Sequence, residues 1–238
     1  MISFIIPTLN EEKIIEKTLK CLSGYSGEKE IIVSDGHSQD KTIEIAKKYG
    51  KVAVHDGSFR QTIGEGRNEG VKIAEGDFLV FLDADIFIPK PDIFFKKALE
   101  IFAKKTNLLA LTVKIKVFPE EATWSDKIIF GYMNLMHLVS NNYLNVAVSA
   151  GEFQMIRADA FKKIGGFNPE LVAGEDYDMF RRLKKIGETY FIKDLVVYHT
   201  GRRAHAIGWP KLLFQWFMNN LHVVFFKKAR SKVWEEIR

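Results

Sequence analysis

Two almost unbroken apolar runs constrain the fold of this chain more than any other feature. Ile2 to Ile6 is apolar apart from Ser3, and Phe78 to Leu82 (FLVFL) has no polar residue. A strand without polar alternation needs cover on both faces. Helical patterns intervene. Asn10 is placed to cap a helix that carries Glu11 and Glu12 in its first turn, and Ile14, Ile15, Thr18, Leu19 and Leu22 follow at helical spacing. Glu30 to Ser34 predicts a second strand, Ser38 or Asp40 opens a helix ending at Gly50, and Val52 to His55 predicts a third strand. Thr62 to Ala74 predicts a helix closed by Gly76. Strand and helix alternating at this spacing predict an α/β fold, a mostly parallel sheet with helices on both faces.

The rhythm changes after Asp85. Pro91 opens a helix to about Ala103, Leu108 to Val117 is strand-like, and Trp124 to about Asn145 is apolar, Asn-rich and helical. Helical turns are expected over Asp159 to Ile164 and Asp176 to Ile186. Short strands are expected over Thr189 to Ile192 and Val196 to His199, and a final helix from Trp209. With 238 residues, 47% hydrophobic and 27% charged, the chain is long enough for a substantial core. We read one domain over residues 1–205, with halves 1–105 and 106–205, and an amphipathic helical tail over 206–238. The lone Cys21 cannot form an internal disulfide and predicts a reducing compartment. The N-terminus lacks a basic segment and its apolar run stops at Pro7, so no signal peptide is expected.

Carboxylates and turn residues close the strands: Pro7-Thr8-Leu9-Asn10 after the first, Asp35-Gly36 after the second, Asp83-Ala84-Asp85 after the fourth. Open parallel sheets bind ligands at these ends. Paired hard oxygens suit Mg²⁺ or Mn²⁺. FIIPTLNEE, EIIVSDGHSQDKT, GEGRNEGVKIAEGDFLVFLDAD, IGGFNPEL and GEDYDMFRRL together resemble the family 2 glycosyltransferases of GT-A fold, over roughly Met1 to Gly201.

That resemblance implies an inverting transferase that uses a nucleotide-diphosphate sugar, UDP- or GDP-linked, with Mn²⁺ or Mg²⁺. It implies that Pro7, Thr8 and Glu11 line the base and ribose and that Asp35 accepts a hydrogen bond from the base. Arg67 would meet the base or diphosphate. Asp83 and Ala84 would lie at the ribose, and Asp85 at the metal. Asp176 would be the general base, with Glu175 in support, and His199 a further metal ligand. Many family members carry Asp-Asp-Gly-Ser after the second strand. This chain has Asp35-Gly36-His37-Ser38, so base preference does not transfer. Arg202 and Arg203 are placed to clamp the donor diphosphate or an anionic acceptor, Gln154 is assigned to the acceptor, and Gly151-Glu152-Phe153-Gln154 together with Gly166-Phe167-Asn168 are expected to shape the acceptor mouth.

The tail alternates aromatics and aliphatics from Trp209 to Phe226 and then turns basic at Lys227, Lys228, Arg230 and Lys232. This is the composition of an interfacial helix. It predicts peripheral contact with the cytoplasmic face of a membrane and a saccharide or polyprenyl-phosphate-type acceptor. The net charge of +5 is too small, and the strand-end crevice too acidic, for a nucleic-acid binder. A sugar-1-phosphate nucleotidyltransferase would need a Gly-rich loop where PTLNEE stands. A non-catalytic nucleotide-sugar-binding module of the same fold is the alternative that keeps every residue in place.

Overall fold

The structure, a computed structural model, describes residues 1–226. The basic cluster expected at 227–232 lies outside the described residues. In the first half the chain runs β1 (Ile2–Thr8), α1 (Ile15–Ser23), β2 (Lys29–Asp35), α2 (Thr42–Ala46), β3 (Lys51–Val54), α3 (Ile63–Lys72), β4 (Phe78–Leu82) and α4 (Pro91–Lys104). It continues through β5 (Leu108–Val117), α5 (Trp124–Asn142), β6 (Phe153–Arg157), α6 (Ala158–Lys163), α7 (Glu175–Lys184), β7 (Glu188–His199), α8 (Arg202–Ile207) and α9 (Trp209–Phe226).

These strands form one sheet in the order β3-β2-β1-β4-β6-β5-β7. Strands β1 to β4 are parallel neighbours, β6 runs antiparallel to β4 and β5, and β7 is parallel to β5. Order reverses between β1 and β4, which opens a crevice at their carboxyl ends. The apolar runs are explained by cover on both faces. Phe4, Ile6, Val80 and Leu82 pack with Leu19, Phe94, Phe95 and Phe102, while Ile5, Leu79 and Phe81 pack with Phe161, Phe167, Met179 and Phe180. Helix α3 lies close on the sheet at Gly70, where a Cβ would stand 2.6 Å from Ile5 Cγ2.

Several expectations need correction. Asn10 does not cap α1, which begins five residues later with Ile14 as N-cap. Asn10 is left-handed (φ 52) and its Oδ1 accepts from the Gln39 amide, so the residue ties two strand-end loops together. Helix α2 is shorter than expected because Ser38 is spent on Asp35, although Asp40 does accept from the Thr42 amide. Strand β6 was not anticipated. The two strands expected near 189–199 are one, with a register shift opposite Val113 and Lys114. Phe167 is not at a mouth but buried in the core against Phe81. Helix α9 starts inside the core, with Trp209 and Leu212 buried. Among the described residues, no helix is long and apolar enough to cross a membrane.

Candidate active site

A cleft of about 1010 Å³ opens over the reversal point, and the carboxylates that follow β4, Asp83 and Asp85, line it. Its floor is set by how β1, β2 and β4 terminate. Thr8 closes β1 and donates its hydroxyl to Asp35 (3.0 Å), which closes β2. Asp35 also accepts from the His37 amide and from the amide and hydroxyl of Ser38, at 3.0, 2.6 and 2.6 Å. A carboxylate has about four acceptor positions. All of these are taken inside the protein, and the residue is fully buried. Asp35 therefore organises the loop after β2 and is not an open acceptor for a nucleobase. Pro7, Thr8, Glu11, Asp83, Ala84 and Asp85 do line the cleft.

Arg67 reaches in from α3, whose start is fixed by a Thr62–Glu65 capping box. It was expected at a base or diphosphate, yet it is 1% exposed and both of its terminal nitrogens are engaged with the protein. Nη1 donates to Asp176 (2.6 Å) and Glu175 (3.2 Å); Nη2 donates to Asp83 (3.2 Å) and to the Gly151 carbonyl (2.9 Å). A cation this deeply buried needs such partners. Arg67 thus joins the β1–β4 side of the sheet to α7 and the segment before β6.

Glu175 and Asp176 form the first turn of α7, entered through Gly174 in the left-handed region (φ 80). Gln154, assigned above to the acceptor, is instead completely buried in β6, and its Nε2 donates to Asp176 Oδ1 (2.9 Å). Its role in the structure is to hold Asp176. Gly151 is needed for the same packing: a Cβ there would stand 2.8 Å from Asp176 Oδ2. Burial pushes the Glu175 carboxyl well above its ordinary range, with the Asp176 charge adding to the effect and Arg67 opposing it. Asp83 is pushed up to about 6 by desolvation, against the pull of Arg67.

On the far wall, Arg202 grips Glu11 bidentately at 2.7 and 2.5 Å, and its Nε lies 3.7 Å from Asp85. Both were assigned to ligand; the structure pairs them with each other. Arg203 lines the cleft beside it. His199 ends β7, its Nδ1 accepts from the Gly201 amide (3.3 Å), and burial lowers its pKa, which keeps the imidazole neutral. Its Nε2 is buried and has no protein partner. One residue was missed. Thr200 donates its hydroxyl to Asp85 Oδ2 at 2.5 Å. Glu152, expected at the acceptor mouth, does line the cleft; it stands across from Asp83, one step beyond the Leu82–Phe153 pair of β4 and β6, and burial pushes it up to about 8.

A family model described as glycosyl transferase family 2 matches residues 3–165. Glycosyltransferase AglE of Haloferax volcanii is 26% identical over 211 residues, 84% of this chain and 67% of the relative. A Methanococcus voltae dolichyl N-acetyl-alpha-D-glucosaminyl phosphate 3-beta-D-2,3-diacetamido-2,3-dideoxy-beta-D-glucuronosyltransferase is 35% identical over 112 residues, 43% of this chain and 34% of that protein. The chain thus spans from a third to two thirds of the length of these relatives. Mannosyltransferase PcManGT from Pyrobaculum calidifontis, solved with GDP-Man and Mn²⁺, shares the fold at a TM-score of 0.75 and 18% identity, over 96% of this chain and 65% of that one. Glucosyl-3-phosphoglycerate synthase from Mycobacterium tuberculosis, solved with Mn²⁺, UDP and phosphoglyceric acid, shares it at 0.64 and 19% identity, over 94% of this chain and 77% of that one. The family match begins in β1, takes in the carboxylates that close β2 and β4, and ends in the turn after α6, so the chain belongs to glycosyl transferase family 2.

Proposed function

We propose that this chain transfers a sugar from a nucleoside-diphosphate donor to an acceptor hydroxyl or lipid phosphate, with inversion. The observation that carries the reading is the convergence of Asp83 and Asp85, from the turn after β4, with Asp176, from the first turn of α7, in one cleft at the strand ends. The nucleoside lies over Pro7 and Thr8, and the diphosphate lies toward Asp85 and Arg202, where a phosphate exchanges with Glu11 as the guanidinium's partner. Arg67 and Gln154 occupy Asp176 Oδ1, so Oδ2 is the oxygen that takes the acceptor's proton.

Asp85 and the unpartnered Nε2 of His199 fit a divalent cation, Mn²⁺ or Mg²⁺. Among the described residues, no group of three or more His, Cys, Asp or Glu side chains forms a cage. That suits an ion whose remaining ligands are diphosphate oxygens and water. When bound, the cation supplies charge neutralisation to the leaving diphosphate.

The reading extends to location, at the cytoplasmic face of a membrane. An exposed apolar stripe along α5 (Trp124, Ile128, Tyr132 and Leu135) supports it. Flotation with anionic vesicles tests this, and a protein that stays at the bottom of the gradient argues against it.

Thermal unfolding against UDP, GDP and other nucleoside diphosphates, each with and without Mn²⁺, tests the donor site. A ligand at a hundredfold excess over Kd stabilises by about 2.7 kcal/mol. We expect one base to give a metal-dependent shift that Asp85→Ala abolishes. No shift with any nucleotide would sink the donor assignment.

A further inference from the structure

The cleft does not end at the carboxylates. It continues between α5 and α9, where Phe130, Met133 and Met136 face Trp209, Leu212 and Trp216. This arm is walled mainly by thioethers, aliphatic carbon and aromatic rings, with Ser140 of α5 and Asn219 of α9 as the polar residues beside them; Trp209 and Trp216 meet edge to face at 6.0 Å. His137, which also lines it, has an unpartnered buried Nδ1, and burial lowers its pKa to about 4, so the imidazole carries no charge at neutral pH.

A sugar laid along these walls would leave most of its hydroxyls facing carbon and sulfur, a loss for each one buried without a partner. A nucleotide would fare worse. A hydrocarbon chain has nothing to leave unsatisfied, and it gains with each methylene removed from water. Arg202 and Arg203 line the same cavity, on the segment of chain that leads into α9, so a ligand in the arm has cationic groups and Asp176 within the same space. We propose that the arm between α5 and α9 is a binding site for the apolar chain of the acceptor, which is a single-chain amphiphile with its head group at Asp176 and the Arg202–Arg203 pair. The inference rests on the reading of the cleft as a transferase site and names the class of its acceptor.

Calorimetric titration of the whole chain with inorganic phosphate and with butyl, hexyl and octyl phosphate tests it. Affinity is expected to rise roughly three- to fourfold with each added methylene. An affinity that does not change with chain length overturns the proposal. Met133→Trp fills the arm and is expected to weaken octyl phosphate at least tenfold. Unchanged binding by a folded Met133→Trp would place the chain elsewhere and equally overturn it.

A second measurement does not depend on that variant folding: 8-bromooctyl phosphate should quench tryptophan emission of the unaltered protein well beyond octyl phosphate, because Trp209 and Trp216 wall the arm. Absence of quenching counts against the site. Soluble dihexanoyl phosphatidic acid should bind more weakly than hexyl phosphate; tighter binding would assign the arm to a two-chain membrane lipid and reject the acceptor. Nucleotide-dependent stabilisation measured on the same samples separates the two readings. Chain binding without a nucleotide response upholds the arm and removes the donor reading, whereas a nucleotide response without chain binding removes the arm alone.

Discussion

Asp176 owes its position to three neighbours. Arg67 and Gln154 hold one oxygen, and the missing side chain of Gly151 leaves room for the other. Asp176→Asn should lower kcat for a hydroxyl acceptor by about 10²- to 10⁴-fold, the usual contribution of a general base. A phosphate acceptor, already ionised near neutral pH, should suffer far less. Single-turnover rates with the two acceptor types decide the matter, and equal losses on both would remove Asp176 as the base. Gly151→Ala tests positioning. Its Cβ would stand 2.8 Å from Asp176 Oδ2 and 3.2 Å from Arg67 Nη2. We expect kcat to fall at least tenfold while the melting temperature moves little, because the atoms displaced are side-chain ends at the edge of a cleft. Those neighbours were hard to foresee. Gln154 lies in an unanticipated strand, and the partners of Arg67 come from residues 16 to 109 positions away. A single sequence lists carboxylates; it does not say which of them a buried guanidinium will take.

At the scale of elements, strands β1, β2 and β4 were legible because burial on both faces leaves a run with little polar interruption. Strand β6 was not, because five residues with Gln154 at the second position and Arg157 at the end read equally well as loop. Helix α8 is one short turn-rich piece between glycines, and nothing in its pattern separates it from a loop. The helices that close the cleft hang on Asp126. This buried carboxylate completes the capping box of α5, accepts from Trp209 Nε1 at 2.8 Å and meets His205 Nε2 at 2.8 Å. Its pKa is lowered by the hydrogen bonds from His205, Thr123 and Trp209, which together outweigh burial. Replacing Asp126 with Ala removes the anchor of both α8 and α9. We expect a loss of about 2–3 kcal/mol, in keeping with hydrogen bonds to a charged group. Faster amide exchange along α9 and a red shift in tryptophan emission would report it; an unchanged α9 would show that packing of Leu212 alone suffices.

For the whole molecule, the cleft is lined by six carboxyls (Glu11, Asp83, Asp85, Glu152, Glu175 and Asp176) against four arginines (Arg60, Arg67, Arg202 and Arg203), and this gives a pH signature. Glu152 and Glu175 titrate higher folded than unfolded, because burial opposes their charge. Between their unfolded value near 4.5 and about 8 the unfolded chain binds fewer protons, so stability falls as pH rises. His137 acts in the opposite direction: its folded value of about 4 lies below 6.5, so stability rises with pH between those limits. The two trends oppose each other up to about pH 6.5, and above it the carboxyls act alone. Two carboxyls outweigh one imidazole, so denaturant unfolding should show stability falling from about pH 5 to about pH 8, most steeply above about pH 6.5. A flat profile over that window would mean that Glu152 and Glu175 are not desolvated in the native state.

The buried guanidinium of Arg67 also bears on how such a chain can arise and be divided. The first half of the chain carries this cation but only one of its carboxylate partners, Asp83; Glu175, Asp176 and the Gly151 carbonyl all come from the second half. Cut between them, the first fragment would bury a charge with most of its counterions gone, and the second would hold clustered acids with no cation. The two halves are therefore not exchangeable cassettes. A recombined descendant must inherit a matching set of hydrogen-bond acceptors for Arg67 along with its new second half, or lose the arginine in the same step.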